Sequence, residues 1–473
     1  MHRITSLALI SPLAAVGCSQ LQSDKTPPNI VFILADDLGY GDLGCYGQKK
    51  FSTPNIDRLA GEGMLFRHHY TGCTVSAPSR SCLMTGLHTG HTPIRGNKGW
   101  EPEGQWPLPA SSFTIAEMLK EQGYTTGAFG KWGLGYIDTE GDPNSQGFDI
   151  FYGYNCQSLA HNYYPDHLWR NHEKILLHEN DSSKKGAYSG DLIQRAALEF
   201  IDLNRDEPFF LFYPTTIPHA ELVAKNELMN EFRGKFEPEK MYIGVDSGPS
   251  FRKGPYGSQP ESHAAYAAMV KQLDIYVGEI LDKLSELGLS ENTVVIFASD
   301  NGPHLEGGAD PDYFDSNGPY RGYKRDLYEG GISTPLLVRW PGKIKAGSLS
   351  DHVSAFWDFL PTFSEICGAG QIESTDGISF LPELIGKKQR KHDYLYWEFH
   401  EQGGKQAVRM GNWKAVRLNV NTDSQNITEL YNLSEDPGET IDISGSNSQI
   451  VKQMEAIMKE AHVQSKIFKF SNE

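Results

Sequence analysis

The sequence has few cysteines, a deficit of basic residues and no apolar run long enough to cross a bilayer as a helix. Six cysteines in 473 residues do not make a disulfide-stapled fold. With Cys18 set aside for the reason given below, Cys45, Cys73, Cys82, Cys156 and Cys367 are an odd number, which leaves room for one bridge but no complete framework. Lys and Arg number 43 against 60 Asp and Glu, a net charge of −17. That balance argues against nonspecific binding to nucleic acid or to an anionic membrane, and any bound anion needs a local cationic pocket. Internal repeats and low-complexity segments are also lacking. What remains is globular composition, 39 % hydrophobic and 11 % aromatic, in a chain long enough for one large domain plus a smaller one.

The start, MHRITSLALISPLAAVGCSQ, carries Arg3 and then an apolar run over residues 7–16. The run is too short to span a membrane and reads as a signal peptide. Ala15-Val16-Gly17-Cys18 resembles a bacterial lipobox, in which the cysteine is lipidated; the alternative is ordinary secretion with cleavage near Cys18. The expected organisation is a lipoprotein signal at 1–18, a tether at 19–27, a catalytic domain at 28–385 and a C-terminal subdomain at 386–473. The expected location is exported, periplasmic or cell-envelope, with the membrane met only through a lipid anchor.

Residues 30–34 are a continuous branched apolar run, as in a buried strand, and stop on Asp36-Asp37. Helices are predicted at 54–63, at 111–123 with a serine cap, at 190–205 and, as a long amphipathic element, at 261–288. Strands are predicted at TTGAF (125–129), at 208–214 and at 292–302, the last again ending on an acid, Asp300. Alternating strands and helices make the class α/β with a largely parallel sheet, whose sites lie beyond the carboxyl ends of the strands. After about residue 385 short aromatic-rich strands separated by turn residues predict a small antiparallel sheet, with a final helix near 447–462.

Asp36, Asp37, Asp300 and Asn301 form an all-oxygen set suited to Ca²⁺ or Mg²⁺. Either pair alone reads better as a strand-end turn; matched placement at two strand ends reverses that in favour of a common crevice. The run TGCTVSAPSRSCLMTG (71–86) supplies a second feature. Pro78 suits a first helical turn, so Ser76 sits at or just before a helix N-terminus, where free N–H groups attract anions. Arg80 can grip an oxyanion in a forked contact. A plain capping serine fits the same spacing.

The string S-A-P-S-R-S-C-L-M-T-G resembles the [C/S]-x-P-x-R…L-x-T-G signature of type I sulfatases. ADDLGYGDLGCYG (35–47), GKWGLG (130–135), IPH (217–219), SDNGPH (299–304) and RGYKRDLYEGG (321–331) resemble that family's other motifs, in order, from about residue 28 to 440. The resemblance implies an alkaline-phosphatase-like α/β/α sandwich with a small C-terminal antiparallel sheet plus helix. It implies that Ser76 is oxidised to Cα-formylglycine by a radical-SAM maturase, and that the aldehyde hydrate accepts sulfate on one hydroxyl and expels it by collapse of the other. It implies Asp36, Asp37, Asp300, Asn301 and residue 76 as ligands of Ca²⁺ or Mg²⁺. Arg80, Lys131 and Lys324 match the sulfate-binding cations, and His219 the general acid toward the leaving sugar oxygen. Many members have histidine where this chain has Gly133; His161, in LAHNYYP, is the expected substitute. Arg95 and His304 lie beside the motifs and are expected to touch the sugar.

The implied activity is hydrolysis of a carbohydrate or aryl sulfate ester, with sulfated galactose or N-acetylgalactosamine favoured. A phosphatase or phosphodiesterase of the same superfamily, working with unmodified Ser76, is the alternative; so is an inactive glycan-binding relative. The complete acid, cation and histidine set argues against the last.

Overall fold

A computed structural model describes residues 27–422 and 426–471; the expected signal peptide, Cys18 and tether residues 19–26 lie outside the described residues. The strands are β1 (Asn29–Ala35), β2 (Met64–Tyr70), β3 (Gly99–Trp100), β4 (Gly104–Gln105), β5 (Thr125–Lys131), β6 (Ile150–Tyr154), β7 (His167–Arg170), β8 (Glu173–Leu176), β9 (Phe209–Pro214), β10 (Thr293–Ser299), β11 (Leu336–Arg339), β12 (Ser348–Ala355), β13 (Leu395–Phe399), β14 (Lys405–Met410), β15 (Trp413–Leu418) and β16 (Ile427–Asn432). The α-helices are α1 (Pro54–Glu62), α2 (Ser76–Thr85), α3 (Ile115–Glu121), α4 (Ser189–Leu203), α5 (Asn226–Phe232), α6 (Ser262–Glu286), α7 (Pro311–Phe314), α8 (Glu329–Ile332), α9 (Phe359–Cys367), α10 (Leu381–Leu384) and α11 (Ser448–Ala461).

Ten strands form one sheet in the order β12-β2-β11-β10-β1-β9-β5-β6-β7-β8. Its centre, from β10 through β6, is parallel. Antiparallel pairing begins at β11 on one side and β7 on the other. β1 shows why its run is apolar without alternation. Ile30, Phe32 and Leu34 pack in one core cluster with Leu119 of α3 and Phe363 of α9. Val31, Ile33 and Ala35 pack in another with Ile193 of α4 and Leu273 of α6. Helices cover both faces, so both residue phases must be apolar. Each large side chain so buried contributes roughly 1.5–3 kcal/mol.

α3 starts later than the sequence reading placed it. The expected serine cap loses to Thr114, whose side chain accepts from the Glu117 N–H (3.1 Å) while Glu117 accepts from the Thr114 N–H (2.8 Å). This reciprocal box satisfies two end donors at once, which a lone serine cannot.

The C-terminal strands form a separate antiparallel sheet, β13-β14-β15-β16. Tyr396, Val408, Ala415 and Leu430 face Met454, Met458 and Ala461 of α11. Trp397, Phe399, Ala407 and Val416 face the main domain through Tyr70, Ile332 and Trp357. Period-two alternation is thus used on both faces. Among the described residues the five cysteines are free thiols.

Candidate active site at the carboxyl edge of the sheet

β1 and β10 are parallel neighbours in register, Ala35 opposite Ser299. Their next residues therefore leave the sheet side by side. The Asp37 N–H donates to Asp300 Oδ1 (3.1 Å), and Asp37 itself holds φ 64°. Asp36, Asp37 and Asp300 each bring one carboxylate oxygen within 4.8 Å of the others. The two strand-end acid pairs do meet in one crevice, although 263 residues separate Asp37 from Asp300.

α2 begins on Ser76, and Val75 is its N-cap. Ser76 is not a capping serine: its Oγ donates to Asp36 Oδ1 (3.1 Å) and has Lys131 Nζ at 3.3 Å. One turn on, Arg80 donates from Nε and Nη2 to Asp300 Oδ2 (3.0 and 2.8 Å) and from Nη1 to the Lys131 carbonyl. Lys131, the last residue of β5, reaches Asp36. Lys324 Nζ meets Asp37 (2.8 Å), Glu306 (3.0 Å) and His219 Nε2 (2.9 Å). Ser76, Arg80, Lys131, His219, Asp300 and Asn301 are all buried.

Burial presses the Lys131 pKa below the ordinary lysine value, against the pull of Asp36. Burial also opposes the charge on Lys324, but Asp37 and Glu306 outweigh it and raise its pKa. His219 is held well below the ordinary imidazole value by burial and then by the Lys324 charge. Its Nδ1 donates to the Ala220 carbonyl (2.6 Å), which leaves Nε2 as the acceptor facing Lys324.

The remaining sequence candidates fall elsewhere. Arg95 is buried against the C-terminal subdomain, with Nη1 donating to Glu398 (2.9 Å) and the Val463 carbonyl (2.6 Å), so its guanidinium holds the subdomains together rather than a sugar. His304 sits behind His219, rings 5.4 Å apart. Both its nitrogens are engaged, Nδ1 by the Glu306 N–H and Nε2 by the Pro218 carbonyl, so it too is a support and not a sugar contact. His161 stacks on the other face of His219 at 4.8 Å and donates from Nδ1 to the Gly254 carbonyl (2.7 Å). Its contacts do not include Ser76, which corrects its expected role as the base there. Gly133 has φ 77°, and a Cβ on it would stand 2.4 Å from Gln157 Nε2. A side chain at this position would need a strained backbone and a shift of the glutamine.

Sequence reasoning missed Glu306, Arg325 and Tyr256. Glu306 Oε1 pairs with Arg325 (2.5 Å), and the Tyr256 ring leans on His161 at 4.9 Å. The signal was available in two places: an acid two residues past His304, and an arginine beside Lys324.

The oxygen set fits a hard cation. Asn301 Nδ2 donates to Asp37 (2.7 Å) and the Gly302 carbonyl, while its buried Oδ1 has no partner. An orphan amide oxygen beside three clustered carboxylates is the donor chemistry that Ca²⁺ or Mg²⁺ takes. A second cluster, His88, His91 and Asp376, is a hydrogen-bonded strut. The Gly90 N–H donates to His88 Nδ1 (3.1 Å), so the His88 proton sits on Nε2, facing Asp376 at 3.7 Å. A metal-ligating histidine needs the opposite arrangement, its second nitrogen donating.

Comparison with known proteins agrees with this geometry. The profile described as Sulfatase matches residues 28–369, and that described as N-sulphoglucosamine sulphohydrolase, C-terminal, matches 318–464. Human arylsulfatase A is 32 % identical over 89 % of this chain and 84 % of its own. The N-acetylgalactosamine-6-O-sulfatase of Bacteroides thetaiotaomicron is 27 % identical over 97 % of this chain and 99 % of its own. A solved structure described as Ps i-CgsB in complex with k-i-k-neocarrahexaose superposes with a TM-score of 0.77 at 30 % identity, covering 94 % of this chain and 95 % of that one. A match across most of the length, together with a relative this similar, means that the chain belongs to the sulfatase family of sulfuric ester hydrolases.

Proposed function

We propose that this enzyme removes sulfate from a sulfated galactose or N-acetylgalactosamine unit of a glycan, after a radical-SAM maturase oxidises Ser76 to Cα-formylglycine. The observation that carries the reading is the position of Ser76: first residue of α2, its Oγ between Asp36 and Lys131, with Arg80 Nη2 3.7 Å from the Asp36 oxygen it touches. The names of the N-acetylgalactosamine-6-O-sulfatase relative and of the carbohydrate complex support the sugar class. The N-terminal residues support an exported lipoprotein with domains at 28–385 and 386–473.

The formylglycine hydrate supplies two hydroxyls: one takes the sulfuryl group as the sulfur–oxygen bond to the sugar breaks, and the other collapses to the aldehyde and releases sulfate. The chain's own groups do the rest. Asp36 Oδ1, 3.1 Å from Ser76 Oγ, is placed to receive the proton of the attacking hydroxyl. Arg80, oriented by Asp300, and Lys131 hold the sulfate oxygens. His219 has its ring fixed by the Ala220 carbonyl and turns Nε2 to the pocket. A proton handed from the Lys324 ammonium to His219 Nε2, 2.9 Å away, is the one that the departing sugar oxygen receives. Asp36, Asp37, Asp300, Asn301 and residue 76 would hold Ca²⁺ or Mg²⁺, whose charge offsets that of the sulfate.

The test is sulfate release from singly sulfated galactose and N-acetylgalactosamine isomers, by protein whose oxidation at residue 76 is verified by peptide mass. Release from one isomer is expected. Cleavage of phosphate esters with no sulfate ester cleaved by the verified protein refutes the reading.

A further inference from the structure

One element of the pocket has no part in the chemistry just described. Arg325 follows Lys324 and holds φ 79°, a left-handed conformation that a bulky residue rarely adopts and that persists where the surroundings enforce it. The local cause is a tight turn: the Asp326 N–H donates to the Tyr323 carbonyl (2.8 Å), and Arg325 occupies the position of that turn that takes a positive φ. The Arg325 N–H donates to the Thr74 carbonyl (3.1 Å), two residues before Ser76. A glycine would fill this backbone position without strain, so the arginine side chain itself needs a reason.

That side chain is a third exposed and reaches back to Glu306 Oε1 at 2.5 Å. Glu306 Oε2 meanwhile holds Lys324 at 3.0 Å and lies 3.7 Å from His219 Nε2. Arg325 thus stands one carboxylate away from the histidine on the leaving-group side. A guanidinium has five N–H donors, and Glu306 is its one partner among the described residues. The charges around the pocket balance: Asp36, Asp37, Asp300 and Glu306 face Arg80, Lys131, Lys324 and Arg325. Arg325 is therefore neutralised by Glu306 and does not call for a second anion. A neutral acid–base pair, partly exposed and in contact with Lys324, offers donors and an acceptor side by side, the complement of a hydroxyl pair.

We infer that Arg325 and Glu306 are the sugar-recognition pair of this site, Arg325 donating to one ring hydroxyl of the sulfated sugar and Glu306 accepting from its neighbour. Glu306 also acts as a positioning residue for Lys324. The inference rests on the sugar sulfatase reading and deepens it.

The test compares a sugar sulfate with an ester that has no hydroxyls. Wild type, Arg325→Gly and Arg325→Lys, each with oxidation at residue 76 verified, are assayed on galactose 6-sulfate, galactose 4-sulfate, N-acetylgalactosamine 6-sulfate and 4-nitrophenyl sulfate. Glycine relieves the strained backbone, so Arg325→Gly melts no lower than wild type. The ratio of kcat/KM for the sugar ester to that for the aryl ester is expected to fall about ten-fold or more in Arg325→Gly, because a charged donor to a hydroxyl is lost. Arg325→Lys recovers part of it. Turnover of both esters with an unchanged ratio overturns this inference alone. A wild type that cleaves the aryl ester and no sugar sulfate overturns the sugar reading and the inference with it; one that cleaves neither overturns the sulfatase reading.

Discussion

The molecule buries two clusters of charge, and they differ in what they leave open. The seam between the main domain and the C-terminal sheet holds Glu329 of α8, Glu439, Lys414 of β15 and Arg409 of β14. Lys414 sits 2.8 Å from Glu329 and 3.1 Å from Glu439; the Tyr70 hydroxyl links Glu329 to Arg409. Two acids meet two bases: Lys414 pairs with both carboxylates, and Arg409 meets Glu329 through the Tyr70 hydroxyl. The site at the strand ends is likewise balanced in charge, yet it keeps the Asn301 oxygen unpartnered and the Arg325 guanidinium half-used. The same chemistry therefore fastens one region and equips the other. Buried charge alone does not separate a site from a strut: the site adds three carboxylate oxygens within 4.8 Å of one another and an orphan amide oxygen beside them.

Four changes break or sharpen that contrast. Ser76→Ala is expected to lower sulfate ester turnover by about four orders of magnitude or more, since it removes the covalent acceptor. The melting temperature should stay near that of wild type; a large drop would mean that Ser76 is a strut after all. Lys414→Met should do the reverse. Glu439 is left buried without its cation and Glu329 keeps only Arg409 through the Tyr70 hydroxyl, at a cost of about 3–5 kcal/mol, read as a fall in denaturant midpoint. kcat of the folded fraction should not change. Adding Gln at both Glu329 and Glu439 in that variant should restore most of the loss.

A third change addresses the cation. Ca²⁺ at about a hundred times its Kd should stabilise wild type by about 2.7 kcal/mol. The shift should vanish in Asp300→Asn and persist in Lys414→Met. Equal melting with Ca²⁺ and with chelator in wild type would count against a cation at the strand ends.

The smallest effect concerns pH. Burial, with Glu329 adding, raises the Glu439 pKa to about 7 from an ordinary carboxyl value, and Lys414 opposes the rise. The unfolded chain loses that proton near pH 4.5 while the folded chain keeps it to about 7. The folded state binds more protons in that window, so this group makes stability fall as pH rises through it. Glu439→Gln removes the titration. Its stability relative to wild type should rise between pH 5 and pH 7; a flat difference would mean that Lys414 holds Glu439 ionised throughout.

Much of this was legible in the chain. The apolar runs of β1, β9 and β10, the length of α6 and the turn-separated strands of the C-terminal sheet follow from periodicity and are present. Ser76, Arg80, Lys131, His219, Lys324 and the four metal-type ligands come together as their motifs implied. The misreadings share a cause. Arg95 and His304 lie beside motifs in sequence, but their side chains are spent on Glu398 and on the Pro218 and Glu306 backbone. His161 was expected at Ser76 and stacks on His219. Adjacency to a motif fixes where a backbone runs and says little about where a side chain points.

The sequence by itself determined which segments could be buried on both faces, where strands had to end, and which residue types were available at those ends. These are local properties, set by side-chain polarity and backbone preference. Only the tertiary structure decided that Asp37 and Asp300 touch, that Gln157 fills the space beside Gly133, and that the Arg325 N–H reaches the Thr74 carbonyl in the nucleophile's loop. Each of those depends on a partner brought from a distant part of the chain by packing, and a pairing between distant groups has no local signature to read.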